Sequence, residues 1–231
     1  MNLLDLFVKG GVVMYPILFC SILALVVIVE RFLVLRKAKI DAGQFMLKLR
    51  SVLQRGNISE AVNFCSKTNA PLANILKRGL VKYPEGHGRM REAIENAGRE
   101  ETFKLEYRLG LLASVAGIAP LLGFLGTVTG MTAAFRTIEQ LSGAVSPSDL
   151  AGGIWEALLT TVFGLVVGIV ALGFYNYYVG RVGRFVFEME SGSEEFLDLV
   201  VSGKLEENEA SGVALRTPAA REDYFKEKGK K

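Results

Sequence analysis

Among the polar side chains within or beside the long apolar stretches of the 231-residue sequence, four could take part in the passage of protons or ions: Thr127, Thr160, Thr161 and Glu156. Polar groups are costly in such surroundings, so their position calls for a reason. Threonine hydroxyls can donate and accept hydrogen bonds along a narrow path, and a carboxylate can take up and release a proton. This set therefore suits the passage of protons or ions better than covalent catalysis.

Glu156 is the ionisable residue closest to these threonines, but it lies at the end of an apolar stretch beside Trp155. A glutamate next to an aromatic anchor at a membrane surface is an equally good interpretation. A proton carrier usually has an ionisable residue near the middle of the membrane, and this sequence offers none there. If the chain moves protons, we expect the titrating carboxylate to come from another polypeptide.

Small residues surround these polar groups at helical spacing. In one stretch they are separated by 4, 3, 4, 3 and 4 positions, which places them on a single face about 80° wide. Its members are Ala116, Pro120, Gly123, Thr127, Gly130 and Ala134. A second face comprises Glu156, Ala157, Thr160, Thr161, Gly164, Gly168 and Ala171. Such faces allow tight helix packing. Repeated around a ring of subunits, they could instead line a narrow cavity.

Three apolar runs have to position these faces. Residues 10–29, 109–135 and 157–180 contain no Asp, Glu, Lys, Arg or His. As helices they would reach roughly 30, 40 and 36 Å, enough to cross a hydrocarbon core of about 30 Å. An ordinary soluble protein is therefore excluded. The first run is too long for a signal peptide and lacks a cleavage site, so we interpret it as a membrane anchor.

Charge patterning predicts the orientation. Of the 27 Lys and Arg residues, 25 fall within residues 30–108 and 181–231, although the net charge is only +3. The positive-inside tendency then places both segments in the cytoplasm of a multi-pass inner-membrane protein with a periplasmic N-terminus. The predicted segments are an N-terminus (1–9), span one (10–35), a cytoplasmic helical domain (36–107), span two (108–135), a periplasmic loop (136–155), span three (156–180), a cytoplasmic helix (181–203) and a disordered tail (204–231).

The inner segments show helical periodicity from residue 42 to 106, broken by Pro71 and by the turn at residues 83–86. Asn57 is placed to cap the turn that begins at Ile58. The sequence from 88 to about 135 predicts one continuous helix, since it contains no turn cluster before span two. Glu30 and Arg31 end span one, where snorkelling towards the interface would account for both.

Other functional classes find no support. There is no phosphate-binding loop, no H-E-x-x-H, no C-x-x-C and no nucleophile elbow. Cys20 and Cys65 do not suggest a disulfide scaffold, and a single His87 argues against a histidine metal site. The sequence contains no basic stripe with interleaved aromatic residues, so nucleic-acid binding is not indicated. We therefore expect a non-enzymatic protein with no catalytic residues, metal ligands or cofactor.

Two motifs resemble those of the ExbB/TolQ/MotA proton-channel family. Residues 109–113 (LGLLA) and 119–131 (APLLGFLGTVTGM) are similar to its second span. Residues 153–165 (GIWEALLTTVFGL) are similar to the start of its third span, close to I-x-E-A-L-x-x-T-x-x-G-L. The resemblance covers most of the chain, including the three-span layout. It implies an all-α, ring-forming membrane protein with long helical extensions into the cytoplasm.

The resemblance also implies a mechanism. Members form a pentamer around single-span ExbD/TolR-type partners, whose intramembrane Asp carries the proton, and a TonB-like protein transmits the movement across the periplasm. Thr127 and Thr161 match the pore-facing threonines, and Glu156 matches the glutamate at the outer mouth. Pro120, Gly123, Gly130, Thr160, Gly164 and Gly168 remain as helix-packing residues. Protons would be the coupling ion.

The resemblance favours TonB-type uptake, with a TolQ-like envelope-maintenance or gliding motor as the alternative. A non-conducting membrane scaffold, whose small faces only pack helices, is a hypothesis of a different class. An ion channel acting alone is disfavoured, because hydroxyls without a charged or carbonyl-lined filter discriminate poorly between ions.

Overall fold

The computed structural model describes residues 7, 10–54, 58–140 and 147–214, and no strand occurs within these ranges. The seven α-helices found there are α1 (Met14–Ala38), α2 (Ala42–Leu53), α3 (Ile58–Lys67), α4 (Pro71–Val81), α5 (His87–Glu106), α6 (Leu109–Gln140) and α7 (Pro147–Ala214). A short 3₁₀ helix, Tyr83–Glu85, lies between α4 and α5. The predicted all-α fold is confirmed.

The chain divides into two compact units. The spanning unit comprises Met1–Lys37 and Thr102–Phe185, and the second unit comprises Ala38–Glu101 and Val186–Lys231. Three helical stretches of the described chain are long and apolar enough to cross a membrane; the first includes α1, the second includes α6 and the third lies within α7. This confirms the three predicted spans, whereas the ring assembly stays a prediction.

Helix α1 packs within the spanning unit along one side. That side carries the buried residues Met14, Ile17, Ala24 and Val27. The buried Tyr178 of α7 donates a hydrogen bond of 2.8 Å to the carbonyl of Ile28, which ties the two helices together. The other sides expose large apolar side chains, as expected for a helix in lipid: Tyr15, Leu18, Phe19, Ile22, Leu25, Val26 and Val29.

The predicted continuous helix from residue 88 to 135 is wrong, because α5 ends at Glu106 and α6 begins at Leu109. Arg108 lies between them with φ of 67°, in the left-handed region that non-glycine residues seldom adopt. In an unbroken helix the amides of Arg108 and Leu109 would bond to the carbonyls of Lys104 and Leu105. The break leaves those two carbonyls in need of other donors.

Arg31 supplies those donors. Its Nη1 lies 3.3 Å from the carbonyl oxygens of both Lys104 and Leu105, and its side chain is only 3% exposed. The Glu30 carboxylate bridges two guanidinium groups, since it accepts from Arg31 at 3.1 Å and also pairs with Arg108. The prediction that snorkelling accounts for Arg31 is therefore wrong. The sequence around Arg108 shows no turn signal, so it did not reveal the helix break. The need for a buried hydrogen-bond donor at position 31 could therefore not be predicted.

In the second unit the helices are short for local reasons. Asp41 caps α2 by accepting from the amide of Gln44 at 3.0 Å, and Pro71 occupies the first turn of α4 after the extended Ala70. Gly86, with φ of 100°, separates the 3₁₀ turn from α5. The predicted interruptions at Pro71 and residues 83–86 thus coincide with helix boundaries. Asn57 lies outside the described residues.

The core of the second unit is formed by helices α2, α3, α4 and α5 and by the C-terminal part of α7. Its fully buried side chains are Leu49, Ala61, Cys65, Ala73, Ile75, Leu76, Leu80, Met90 and Phe196. The rings of Phe45 and Phe64 stack with centroids 5.3 Å apart. Burial among these side chains raises the pKa of the Cys65 thiol to about 11, although nearby Lys77 acts in the opposite direction.

The predicted disordered tail begins too early. Helix α7 continues to Ala214, so residues 204–214 are helical. Three Glu and two Ala residues among these eleven favour helix, and the next proline after Pro147 comes at residue 218. The remainder, residues 215–231, lies outside the described residues.

Replacing Arg31 tests its structural role. Arg31→Leu strands the carbonyls of Lys104 and Leu105 and leaves Glu30 with one cation, so we expect the free energy of unfolding to fall by about 3 kcal/mol. Unfolding by SDS in mixed micelles, followed by helical content, measures this loss. Arg36→Leu is the matched control, because Arg36 is exposed on the same helix; equal stability losses in the two variants would contradict the assignment.

The raised pKa of Cys65 predicts slow alkylation. At pH 8 a thiol with a pKa of about 11 is ionised about a hundredfold less than one at the ordinary value of 9.0, and burial slows access further. We therefore expect N-ethylmaleimide to react with Cys65 at least about a hundredfold faster after SDS unfolding than before. A Cys20→Ser background isolates the signal. Comparable rates in the folded and unfolded chain would contradict this prediction.

Candidate functional site

Helices α6 and α7 approach so closely that their backbones touch at Gly123 and Gly164. A Cβ atom at Gly164 would lie 2.6 Å from the carbonyl oxygen of Ala119 and 2.9 Å from the Cα of Gly123. A Cβ atom at Gly123 would lie 3.0 Å from the carbonyl oxygen of Thr160. These neighbours are backbone atoms, which cannot rotate away. Glycine at both positions is therefore what permits the contact.

The same contact extends in both directions along the helices. Towards one end, a Cβ atom at Gly130 would lie 2.8 Å from the Cβ of Ala157. Towards the other, Gly168 faces the ring of Pro120, whose Cδ would be 2.7 Å from an added Cβ. The predicted packing residues thus lie at one helix–helix interface.

Pro120 has a further effect at this interface. Proline lacks an amide hydrogen, so the carbonyl of Ala116 has no intrahelical partner. That carbonyl oxygen faces Gly168, where an added Cβ would lie 3.3 Å from it. The freed backbone group is therefore sheltered by α7 at a position without a side chain, as required within an apolar span.

Thr127 and Thr161 meet across the two helices. Their hydroxyl groups contact each other directly, and the Thr161 hydroxyl also donates to the Gly123 carbonyl at 2.9 Å. The Thr127 hydroxyl lies 3.3 Å from the Gly123 carbonyl oxygen and 3.4 Å from that of Ala157. Both side chains are half-buried, so the pair is partly accessible at the edge of the interface. A hydroxyl pair of this kind can both donate and accept a hydrogen bond.

Thr160 differs from its neighbour. It is 1% exposed, and its hydroxyl donates to the Ala157 carbonyl of its own helix at 2.7 Å. Its side chain fills the space opposite Gly126, where a Cβ would collide with it. Gly126 was not among the predicted packing residues, although its spacing of three from Gly123 and four from Gly130 was a usable signal. Gly153, against Ala134, was missed in the same way.

Glu156 does not join the threonine pair. It lies about one helical turn before Thr160, and its half-buried carboxylate packs against the backbone of Gly11 at the start of the chain's first span. Within the described residues, no group of three or more His, Cys, Asp or Glu side chains lies together. The structure therefore unites the two threonines and separates the carboxylate from them.

Residues 67–191 match the MotA/TolQ/ExbB proton channel family. The chain belongs to this family. The match begins at the last residue of α3 and includes all of α4, α5 and α6, together with both members of the threonine pair. The family resemblance of the two span motifs is thereby confirmed.

Individual relatives extend the match to most of the chain. An ExbB-like protein of Synechocystis sp. is 33% identical over 178 residues, which cover 74% of this chain and 68% of that protein. The biopolymer transport protein ExbB of Neisseria meningitidis is 29% identical over 197 residues, 77% of this chain and 87% of the relative. The Tol-Pal system protein TolQ of Haemophilus influenzae is 30% identical over 218 residues, 87% of this chain and 94% of the relative.

The backbone contact of α6 and α7 predicts a sharp difference between two glycines of α7. Gly164→Ala forces a methyl group against Ala119 and Gly123, and we expect a destabilisation of about 1–3 kcal/mol. Gly173→Ala is the control, because nothing lies within 4 Å of its added Cβ in the described chain. Thermal unfolding of both variants in detergent measures the difference. Similar midpoints for the two would contradict the interface.

Proposed function

We propose that this chain is the ring subunit of an inner-membrane motor driven by the proton-motive force. It would act with an ExbD/TolR-like partner and couple proton flow to transport at the outer membrane, most simply TonB-type uptake. The observation that carries the proposal is the half-buried hydroxyl pair of Thr127 and Thr161, which lies within an interface otherwise built from small and apolar residues. The family membership supports it.

The need for a partner subunit follows from the lack of a carboxylate near the threonine pair within the apolar runs. The apolar runs 109–135 and 157–180 contain no Asp, Glu, Lys, Arg or His, so the threonine pair has no carboxylate or other ready proton carrier within these runs. A single-span partner with an intramembrane Asp would supply one. Threonine hydroxyls could then exchange hydrogen bonds with the Asp as it loses and regains its proton. The proposed role makes or breaks no carbon-centred covalent bond of this chain, so it is non-enzymatic and needs no cofactor.

The proposed assembly is a homo-pentamer that surrounds two partner helices. In it, Glu156 would lie at the outer mouth of the path, with the N-terminus in the periplasm and the C-terminus in the cytoplasm. The concentration of basic residues in segments 30–108 and 181–231 supports this orientation. A TonB-like protein would pass the movement to the outer membrane.

The relatives support two versions of the motor. ExbB of Neisseria meningitidis is named for biopolymer transport, and TolQ of Haemophilus influenzae is named for the Tol-Pal system. Both are about equally similar to this chain, so TonB-type uptake is proposed with the TolQ-like role as the alternative. The identity of the periplasmic partner distinguishes the two.

Purification of the complex from native membranes tests the proposal. We expect mass spectrometry to find a single-span partner with one intramembrane Asp. We also expect the interior of proteoliposomes that contain the complex to acidify when a proton gradient is imposed. The chain alone should not conduct. A stable assembly with neither partner nor flux would favour the non-conducting scaffold, in which the small faces only pack helices.

Thr161→Val tests the hydroxyl pair. Valine has a similar shape but removes the donor to Gly123 and the contact with Thr127. We expect proton flux through the partner-containing complex to fall about tenfold, the scale set by the loss of one hydrogen bond of about 1.4 kcal/mol.

The control for this variant is Thr132→Val. Thr132 is exposed on α6, and its hydroxyl bonds only to the Val128 carbonyl of its own helix within the described structure. Size-exclusion chromatography should show that both variants assemble normally. Unchanged flux in a normally assembled Thr161→Val complex would remove Thr161 from the proton path.

A further inference from the structure

A tight turn precedes the first span at Gly10 and Gly11. The amide of Gly10 donates to the carbonyl of Phe7 at 3.2 Å, and the amide of Met14 donates to the carbonyl of Gly11 at 3.2 Å. Gly11 has φ of 67°, a left-handed conformation that most side chains disfavour. The turn therefore leads directly into α1 and requires a flexible residue at position 11.

The Glu156 carboxylate occupies the space where a side chain of residue 11 would begin. A Cβ atom added to Gly11 would collide with Oε1 of Glu156 and would lie 3.0 Å from its Cδ. Two independent constraints thus act on one position: the backbone conformation and the proximity of a carboxylate. The conformation alone would tolerate Asn, whereas any residue with a Cβ would displace the Glu156 carboxylate.

Within the described residues, no hydrogen bond or ion pair joins the Glu156 carboxylate to another group. The charged residues at the C-terminal end of α6, Arg136 and Glu139, are both exposed. Asp5 and Lys9 of the N-terminal segment lie outside the described residues. In the described structure, the position of the Glu156 carboxylate is therefore restricted by its contact with the Gly10–Gly11 turn.

We propose that the Gly10–Gly11 turn is a positioning element for Glu156. By packing on the carboxylate, it limits the positions of Oε1 and shields one side from outside water. Its effect on conduction rests on the proposed function, in which Glu156 lies at the outer mouth of the proton path. The contact itself does not depend on that function.

The first experiment measures the contact in the full-length protein in native membranes. A water-soluble carbodiimide with glycine ethyl ester labels accessible carboxyl groups, and mass spectrometry compares Glu156 with the exposed Glu139. We expect Gly11→Ala to raise labelling of Glu156 about fivefold relative to Glu139, because the methyl group displaces the carboxylate. Gly152→Ala is the matched control, since its added Cβ meets nothing within 4 Å.

The second experiment measures proton flux in partner-containing proteoliposomes. We expect Gly11→Ala to lower flux about tenfold, as for other small displacements of a functional group. Gly11→Asn should lower it equally, because Asn relieves the backbone strain but keeps the Cβ. Combining Gly11→Ala with Glu156→Asp, which withdraws the carboxylate by one methylene, should restore flux to the level of Glu156→Asp alone.

These outcomes separate the two proposals. Unchanged labelling of Glu156 in Gly11→Ala would overturn the positioning role, as would full recovery in Gly11→Asn, which would leave only backbone strain. The positioning role would also be overturned if Gly11→Ala lowered flux by the same factor in the Glu156→Asp background.

If the wild-type complex carries no protons, the proposed function fails, whereas the labelling result still decides whether the Gly11 turn contacts Glu156. Should Gly11→Ala not accumulate in membranes, recovery of its level by Glu156→Asp supports the contact and no recovery overturns it.

Discussion

The spanning unit depends on the direct backbone contact between α6 and α7. Within a membrane, burial of apolar side chains gives little preference for a neighbouring helix over lipid, so close packing and polar contacts have to hold helices together. At Gly123 and Gly164 the two backbones meet with no side chain between them. This closeness brings the Thr127 hydroxyl within reach of Thr161, and a Cβ at either glycine would separate the pair.

A second constraint operates where α5 gives way to α6. A helix break exposes carbonyl groups, and an exposed carbonyl in apolar surroundings must find a donor. Arg31 meets this need from α1, and Glu30 balances its charge together with that of Arg108. The buried cation is tolerated because both terminal nitrogens of its guanidinium group donate hydrogen bonds and Glu30 serves as its counter-ion. Charge at this end of α1 thus shapes the fold as well as indicating orientation.

Several features could be predicted from the sequence because they follow from local physics. Apolar runs of sufficient length define membrane helices whatever their neighbours are, and the spacing of small residues defines a face. Pro71 restricts the chain at its own position, which is why that helix boundary was predicted correctly. The break at Arg108 was not predictable in this way. It depends on partners more than 70 positions away in the sequence, and no local residue marks it.

The sequence by itself therefore determined the three spans, the small faces of α6 and α7, and the family, since each is a property of residue type and spacing along one helix. Only the tertiary structure decided which polar groups meet. It joined Thr127 to Thr161, assigned Thr160 to packing against Gly126, and brought the Glu156 carboxylate against Gly11. Helical periodicity fixes the direction of a side chain relative to its own axis. The separation and rotation of two helices, which set such contacts, depend on how their surfaces pack together.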